Sequence, residues 1–206
     1  MAIKEDVFAA LQAEMRACRR CSEAGFWIQP EAVTQGTVEA RMMTIGQAPG
    51  STEVVAKRPF NAGSGSRLFE WLAQAGIDET WFRSTQYMTS VTKCYPGRAK
   101  GGTGDRVPGR KEQALCRPFF DRELRLVEPR LILPIGRLAI ELFYPRSAKL
   151  EDIIGTETQT ASGAWVVPLP HPSGASRWHQ LEENRARIQD AIRLVEKHYR
   201  ALFPAK

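Results

Sequence analysis

Four short apolar runs that alternate with helical segments constrain the fold of this chain more than any other feature of its sequence. Amphipathic helical spacing occurs before, between and after these runs, most clearly over 3–16, 110–127 and 179–202. Strands that are apolar along their length and alternate with helices are typical of a parallel sheet covered on both faces. We therefore predict a single α/β domain over residues 1–206, with a four-stranded parallel sheet flanked by helices on both faces. The runs are RMMTIG (41–46), YMTSVT (87–92), LILPIG (131–136) and WVVPL (165–169).

Charge narrows the class of partner. The formal net charge is +6, which favours an anionic partner such as nucleic acid. Six basic residues against the single acidic Asp105 lie between positions 93 and 111. The N-terminus contains Glu5 and Asp6 without an apolar core, so it does not read as a secretory signal, and no apolar run is long enough to span a bilayer. We expect a cytoplasmic monomer that does not bind membranes.

Cysteine spacing indicates a metal site. Disulfides are rare in the cytosol, so four cysteines, two of them in a C-x-x-C pair, favour metal ligation. They are Cys18, Cys21, Cys94 and Cys116. Thiolates suit both iron–sulfur clusters and zinc, and the spacing alone leaves both metals open.

Two segments that leave the predicted strands are candidates for an active site, because ligands of parallel sheets bind beyond the carboxyl ends of the strands. The first is the turn GQAPG (46–50), in which glycine allows main-chain N–H groups to approach a ligand. The second is PHPS (170–173), where His171 lies between two prolines. His179 and His198 fall in the predicted last helix, so His171 is the stronger candidate.

Four motifs, in this order, resemble the uracil-DNA glycosylase superfamily. They are GQAPG (46–50), RPF (58–60), TKC (92–94) and HPS (171–173). The cysteine pattern is similar to that of the iron–sulfur branch, the fourth and fifth families, and the resemblance extends from residue 18 to about residue 178. It implies a base-excision repair enzyme that hydrolyses the N-glycosidic bond of uracil, or of other deaminated bases, in DNA. It also implies a 4Fe–4S cluster on the four cysteines, with zinc as the alternative.

The resemblance assigns roles to the strand-end residues. His171 points at O2 of the flipped base as an oxyanion-hole donor, an interaction worth roughly 3–4 kcal/mol. Phe60 stacks on the uracil ring. The remaining substrate-binding positions are Gly46, Gln47, Ala48 and Ser90.

This sequence departs from the family pattern at three of these positions. The best-known family has an aspartate where Ala48 stands, and the fourth family often has a glutamate where Gln47 stands. Gln47 can orient a water but is no general base, so we expect a strongly dissociative reaction, with Glu53 as a weaker alternative for water activation. Ser90 replaces an asparagine that reads the uracil edge, and this predicts either looser discrimination between bases or discrimination by Gln47 or by main-chain groups.

Contacts to the DNA backbone are expected from residues at the start of a helix and after His171. Helix N-termini and small hydroxyl side chains suit phosphates. A bulky side chain is also needed to fill the gap that an extruded base leaves, and Trp178 is the candidate. The backbone candidates are Ser64, Ser66, Arg67, Ser173, Ser176 and Arg177.

Two other functions stay open on the sequence. The missing carboxylates and the basic insertion at 95–109 favour a superfamily member that binds damaged or abasic DNA with weak or no turnover, or that captures DNA covalently. The third reading is an α/β enzyme acting on nucleotides or other phosphorylated small molecules. Neither a P-loop nor a G-x-G-x-x-G motif supports it.

Overall fold

The computed structural model describes residues 2–61, 63–101, 104–174 and 178–204. Its strands are β1 (Met42–Gly46), β2 (Tyr87–Ser90), β3 (Leu131–Pro134), β4 (Thr158–Gln159) and β5 (Trp165–Val166). Its helices are α1 (Ala2–Ala17), α2 (Arg20–Glu23), α3 (Ser51–Ala56), α4 (Gly63–Gln74), α5 (Glu79–Thr85), α6 (Arg110–Val127), α7 (Arg137–Ile140), α8 (Leu150–Ile153) and α9 (Glu182–Leu202). None of the described helices combines the length and the apolar character that a membrane span requires.

The sheet has the strand order β2-β1-β3-β5-β4. The first four of these strands are mutually parallel, and they correspond to the four predicted runs. The predicted α/β class is confirmed, but the predicted number of strands was wrong. A fifth strand, β4, pairs antiparallel with β5 at the edge of the sheet. It consists of two polar residues, too short to show any hydrophobic period, and only its pairing with β5 defines it.

Alternate residues of the strands face two separate cores. Met42 packs in a cluster with α4 and α9, which includes Leu68 and Ile192. Its neighbour Met43 packs on the opposite face in a cluster with Phe8 of α1 and Phe120 of α6. Because successive strand side chains point to opposite faces, a strand that is apolar at every position buries both sides. Helices therefore cover the sheet on both faces, as predicted.

The observed bounds of two long helices agree with the predicted ones. The predicted spans 3–16 and 110–127 agree with α1 and α6. Helix α4 begins at Gly63, so Ser64 and Ser66 lie within its first turn. Gly76 follows the end of this helix in the left-handed conformation, at φ 77°. Its N–H donates to the carbonyl of Ala73, which is a common way to close a helix.

The start of the last helix also differs from the prediction. A 3₁₀ turn over Trp178–Gln180 precedes it, so α9 begins at Glu182 rather than at residue 179. His179 consequently lies in this turn, where it is buried against Trp71. His198 does lie in α9, as predicted, and contacts Glu157.

A buried ion pair joins the end of β2 to α6. The ammonium of Lys93 lies 2.6 Å from the carboxylate of Glu123, and the two side chains are 2% and 0% exposed. Tyr87 and Thr89 donate hydrogen bonds to the same carboxylate, at 2.8 Å and 2.9 Å. Lys93 also donates to the carbonyl oxygen of Ser90 at 2.5 Å. A buried charge pair of this kind requires its full set of partners, since each unpaired charge is costly in the interior.

We predict that Glu123→Leu lowers the free energy of unfolding by about 3–5 kcal/mol, because it leaves the Lys93 ammonium buried without a counter-charge. The double variant Lys93→Met/Glu123→Leu removes both charges and should recover much of this loss. Denaturant unfolding of the three proteins measures both effects. A single variant as stable as the double variant would contradict the assignment.

Candidate active site and cysteine cavity

A pocket opens where β1, β2 and β3 end, and we call it the strand-end pocket. It contains every side chain that the sequence analysis proposed for substrate binding, and it also contains Ser64. Segments far apart in the sequence meet here because the carboxyl ends of parallel strands share one edge of the sheet. The lining residues are Val33, Gly46, Gln47, Ala48, Pro49, Glu53, Pro59, Phe60, Ser64, Thr89, Ser90, Ile135, His171 and Pro172.

His171 is held as a neutral hydrogen-bond donor. Its Nδ1 accepts the main-chain N–H of Ser173 at 3.2 Å and lies 2.9 Å from the hydroxyl of the same residue. A main-chain N–H can only donate, so Nδ1 carries no proton and the neutral ring carries its proton on Nε2. Burial lowers the pKa of His171 below its ordinary value, and nearby His179 acts in the same direction. At neutral pH the ring therefore presents an Nε2–H donor.

Phe60 has a strained main chain that its neighbours hold in place. Its φ is 51°, in the left-handed region that a bulky residue rarely adopts. The N–H of Phe60 donates to the carboxylate of Glu53. The guanidinium of Arg83 donates to the carbonyls of Phe60 and Pro59 at 2.7 Å and 2.8 Å. The ring lies against Gly46, where an added Cβ would be 3.2 Å from Cζ.

Glu53 connects the GQAPG turn to Phe60. One carboxylate oxygen accepts the N–H of Gly50 at 2.5 Å, and the other accepts the N–H of Phe60. Burial raises the pKa of Glu53, while these main-chain hydrogen bonds and one from Asn61 act in the opposite direction. Both carboxylate oxygens thus hold the pocket together, and this competes with the water-activating role that the sequence analysis considered for Glu53.

Ser90 presents an acceptor to the pocket. Its hydroxyl donates to the carbonyl oxygen of Thr92 at 2.7 Å, so its only proton is already used. Behind it, Lys93 donates to the Ser90 carbonyl. The Ser90 side chain therefore has lone pairs, and no proton, to offer a ligand.

The residues proposed to contact DNA lie in several environments. Ser66 and Arg67 are exposed on the first turns of α4. The hydroxyl of Ser173 instead lies 2.9 Å from Nδ1 of the His171 ring. Ser176 and Arg177 lie outside the described residues. These DNA-binding roles remain predictions.

Trp178, the residue proposed to fill the gap left by the extruded base, is held by contacts within the protein. Its ring packs against the core cluster of α4 and α9. Its indole N–H donates to the carboxylate of Glu151 at 2.9 Å. The proposed insertion of Trp178 into DNA stays a prediction, and it would require these contacts to break.

Sequence reasoning missed Arg83 and Gly65. Arg83 pairs with Glu79 four residues earlier on α5, at 2.7 Å, which in a sequence reads as an ordinary surface pair. Its burial and its contacts with Phe60 arise only from tertiary packing. Gly65 carried a local signal, since a glycine inside a helix lowers helix stability and needs a packing reason.

The four cysteines line a second cavity, which we call the cysteine cavity. Cys18 follows α1, Cys21 lies in α2, Cys94 follows β2 and Cys116 lies on α6. All four are unpaired thiols. Burial, and next the three other cysteines, raise the pKa of Cys94 to about 12.

Burial, and next the neighbouring Cys116, likewise raise the pKa of Cys21 to about 11. Four thiols that influence one another in one cavity need a cation to ionise together, and this donor set fits a metal centre. Across the described residues, no three His, Cys, Asp or Glu side chains form a ready-made site for one metal ion.

The fold and the pocket place this chain among α/β proteins that bind their ligand at the carboxyl edge of a parallel sheet. Comparison with known families narrows the class. The sequence model of the uracil DNA glycosylase superfamily matches residues 33–195, so the chain belongs to this superfamily. The resemblance drawn from the four motifs is confirmed.

Curated relatives extend the similarity. The type-4 uracil-DNA glycosylase of Thermotoga maritima is 28% identical over 159 residues, which are 77% of this chain and 78% of that protein. The type-4 enzyme of Archaeoglobus fulgidus is 30% identical over 72% of this chain and 73% of its own length. The type-4 enzyme of Sulfurisphaera tokodaii is 26% identical over 94% and 88%, respectively. The similarity therefore covers the pocket and most of the chain.

We predict that Gly65→Ala displaces Phe60. A Cβ at Gly65 would lie 1.9 Å from the carbonyl oxygen of Phe60, so the main chain must move, at a cost of about 1–3 kcal/mol. Gly63→Ala in the same helix is the control, because nothing lies within 4 Å of its added Cβ. Thermal unfolding should separate the two variants. Equal stability of both variants would show that Phe60 is not confined as described.

Proposed function

We propose that this protein is a uracil-DNA glycosylase that hydrolyses the N-glycosidic bond of uracil in DNA and leaves an abasic site. The observation that carries the proposal is the neutral, half-buried His171, whose proton is on Nε2 in the pocket that also contains Phe60. The names of the type-4 relatives support the same reaction.

The reaction needs a donor for the leaving base. When the bond between C1′ and N1 breaks, its electron pair stays on uracil and negative charge develops on O2. The Nε2–H of His171 stabilises this charge, as a preorganised oxyanion-hole donor does. The proton on Nε2 need not be transferred, since the uracil anion can take a proton from water after it leaves. Phe60 contributes by stacking on the base, which is worth roughly 1–3 kcal/mol.

Water attacks the sugar after the base has begun to leave. At Glu53 each carboxylate oxygen already accepts a main-chain N–H group. Gln47 lines the pocket and can orient a water without removing its proton. The sugar cation is then captured by this water, whose proton passes to bulk solvent. These contacts support the dissociative course that the missing carboxylates suggested.

Ser90 accounts for the recognition of deaminated bases. Its hydroxyl oxygen acts as an acceptor, because its proton is bonded to Thr92. Uracil presents an N3–H donor on this edge, whereas the N3 of cytosine carries no hydrogen. Hypoxanthine and xanthine also carry a ring N–H. An acceptor at Ser90 therefore disfavours cytosine while tolerating several deaminated bases.

DNA is the macromolecular partner in this proposal. The net charge of +6 favours binding to phosphates, and the target base must leave the helical stack to reach the pocket. Exposed Ser66 and Arg67 on α4, close to the lining residue Ser64, are suited to hold the backbone while this happens. We keep Ser173, Ser176, Arg177 and Trp178 as further proposed contacts.

We also propose that Cys18, Cys21, Cys94 and Cys116 hold a 4Fe–4S cluster. Their convergence in one cavity supports a shared metal centre, and the type-4 relatives favour the cluster over zinc. The cluster would serve as a cross-link between α1, α2, α6 and the end of β2. In this role it supplies stability and takes no part in breaking the glycosidic bond.

We predict that His171→Ala slows uracil release at least about 100-fold, because it removes one oxyanion donor, with little loss of folding stability. His198→Ala, on α9 beside Trp165, is the control and should release uracil at the wild-type rate. The assay cleaves a uracil-containing oligonucleotide with alkali after incubation. Failure of the wild-type protein to produce alkali-sensitive sites, combined with tight retention on the DNA, would favour the binding alternative. An adduct that resists SDS would indicate covalent capture.

We predict that protein purified without oxygen is brown, with broad visible absorption and iron and sulfide bound in equal amounts. Cys116→Ser should lose this absorption because it removes one thiolate ligand. Metal analysis after gel filtration gives the stoichiometry. A colourless protein that contains zinc would exclude the cluster and leave the four-cysteine metal site intact.

A further inference from the structure

The basic insertion at 95–109 takes no part in the chemistry above, yet its described part is well organised. Its described residues pair as a hairpin: the N–H of Ala99 donates to the carbonyl of Gly104, and the N–H of Arg106 donates to the carbonyl of Gly97. Arg106 in turn forms two short contacts with Glu112, at 2.6 Å and 2.7 Å. The insertion is therefore anchored on the first turn of α6.

This hairpin supports an exposed tryptophan. Trp27 is 65% exposed, although its position is confined on two sides. Its ring packs edge-on against Tyr95, with the centroids 6.2 Å apart. It also lies so close to Gly97 that an added Cβ there would be 2.6 Å from the ring. The Trp27 carbonyl accepts a hydrogen bond from Arg106. The indole is thus held in place while much of its surface faces solvent.

The hairpin borders the strand-end pocket. Asp105 reaches the GQAPG turn, where its Oδ2 would lie 3.1 Å from a Cβ added to Gly50. The hydroxyl of Tyr95 donates to the other oxygen of Asp105 at 2.9 Å. A nucleotide chain that enters the pocket can therefore continue across the hairpin.

The hairpin and the adjoining start of α6 carry four exposed cations. Arg98 and Lys100 lie on the hairpin, and Arg110 and Lys111 begin α6. All four are exposed, and none takes part in an ion pair within the described residues. By contrast, the cations that organise the hairpin and β2, Arg106 and Lys93, are paired with Glu112 and Glu123.

We propose that this surface binds unpaired DNA beside the target nucleotide, with one base stacked on Trp27 and the phosphates on the four cations. Exposed aromatic rings within a basic surface are typical of proteins that bind single strands. In a duplex, neighbouring pairs already cover both faces of each base, so a stacking ring selects unpaired bases. The inference rests on the proposed function and deepens it: the preferred substrate is uracil in single-stranded DNA.

The first test replaces the ring. Trp27→Ala should raise the KM for a single-stranded deoxyuridine oligonucleotide about 5- to 150-fold, as expected for loss of one stacked base, with kcat unchanged. The KM for the duplex substrate should change much less. Trp27→Phe keeps an aromatic ring, so its KM for the single-stranded substrate should stay close to the wild-type value. Ile3→Ala, another exposed apolar side chain at 81% exposure, is the control. An unchanged KM, or an equal rise for both substrates, would overturn the proposal.

The second test uses the two ends of one helix. Arg110 and Arg125 are both exposed on α6, about 23 Å apart along its axis. Arg110→Gln should reduce the salt slope of single-strand binding by about 0.7, the value for one lost phosphate contact. Arg125→Gln should leave the slope unchanged. Equal slopes for the two variants would count against a phosphate path across the hairpin.

Binding to a fluorescent oligothymidylate separates this inference from the proposed function, because this probe contains no uracil. If the wild-type protein releases no uracil but Trp27→Ala weakens oligothymidylate binding, the proposed glycosylase function is wrong and the proposed DNA-binding surface is supported. If uracil is released normally and Trp27→Ala binds oligothymidylate like the wild type, the proposed DNA-binding surface is wrong and the proposed glycosylase function is supported.

Discussion

The structure of both sites depends on the way Lys93 is held at the end of β2. Its ammonium is buried against Glu123, its carbonyl accepts the N–H of Val33 in the pocket wall, and its own N–H donates to the Cys116 thiol at 3.4 Å. One residue thereby joins the strand-end pocket to the cysteine cavity. Because the ion pair is fully buried, neither partner can leave without a large cost, and the end of β2 is held in a single arrangement.

The chemistry of the pocket follows from where proton donors and acceptors are already used. Nδ1 of His171 accepts the N–H of Ser173, and the hydroxyl of Ser90 donates to the carbonyl of Thr92. Both carboxylate oxygens of Glu53 accept main-chain N–H groups. Of these three side chains, His171 keeps one donor and Ser90 keeps an acceptor for the ligand. A site of this composition can stabilise a leaving anion and read a ring N–H, whereas it has little means of deprotonating water.

Sequence patterns predicted the elements that carry their own signal. The apolar runs of β1, β2 and β3 lie within the predicted spans, and α6 agrees with the predicted range at both ends. The two-residue β4 was missed because a strand so short has no period. The predicted start of the last helix at residue 179 was wrong because a 3₁₀ turn precedes α9, which begins at Glu182. The convergence of strand ends at one edge of a parallel sheet predicted the GQAPG turn and His171, whereas Phe60 and Ser90 were predicted from the resemblance to the superfamily.

The sequence by itself determined the α/β class, the position of the pocket and the identity of the four thiols, because these depend on local hydrophobic period and on motif order. Only the tertiary structure decided how the side chains are engaged. Arg83 and Glu53 confine Phe60. Trp27 packs against Gly97 of the hairpin, about 70 residues further along the chain. These contacts join distant segments, and whether a charge is buried or free depends on packing.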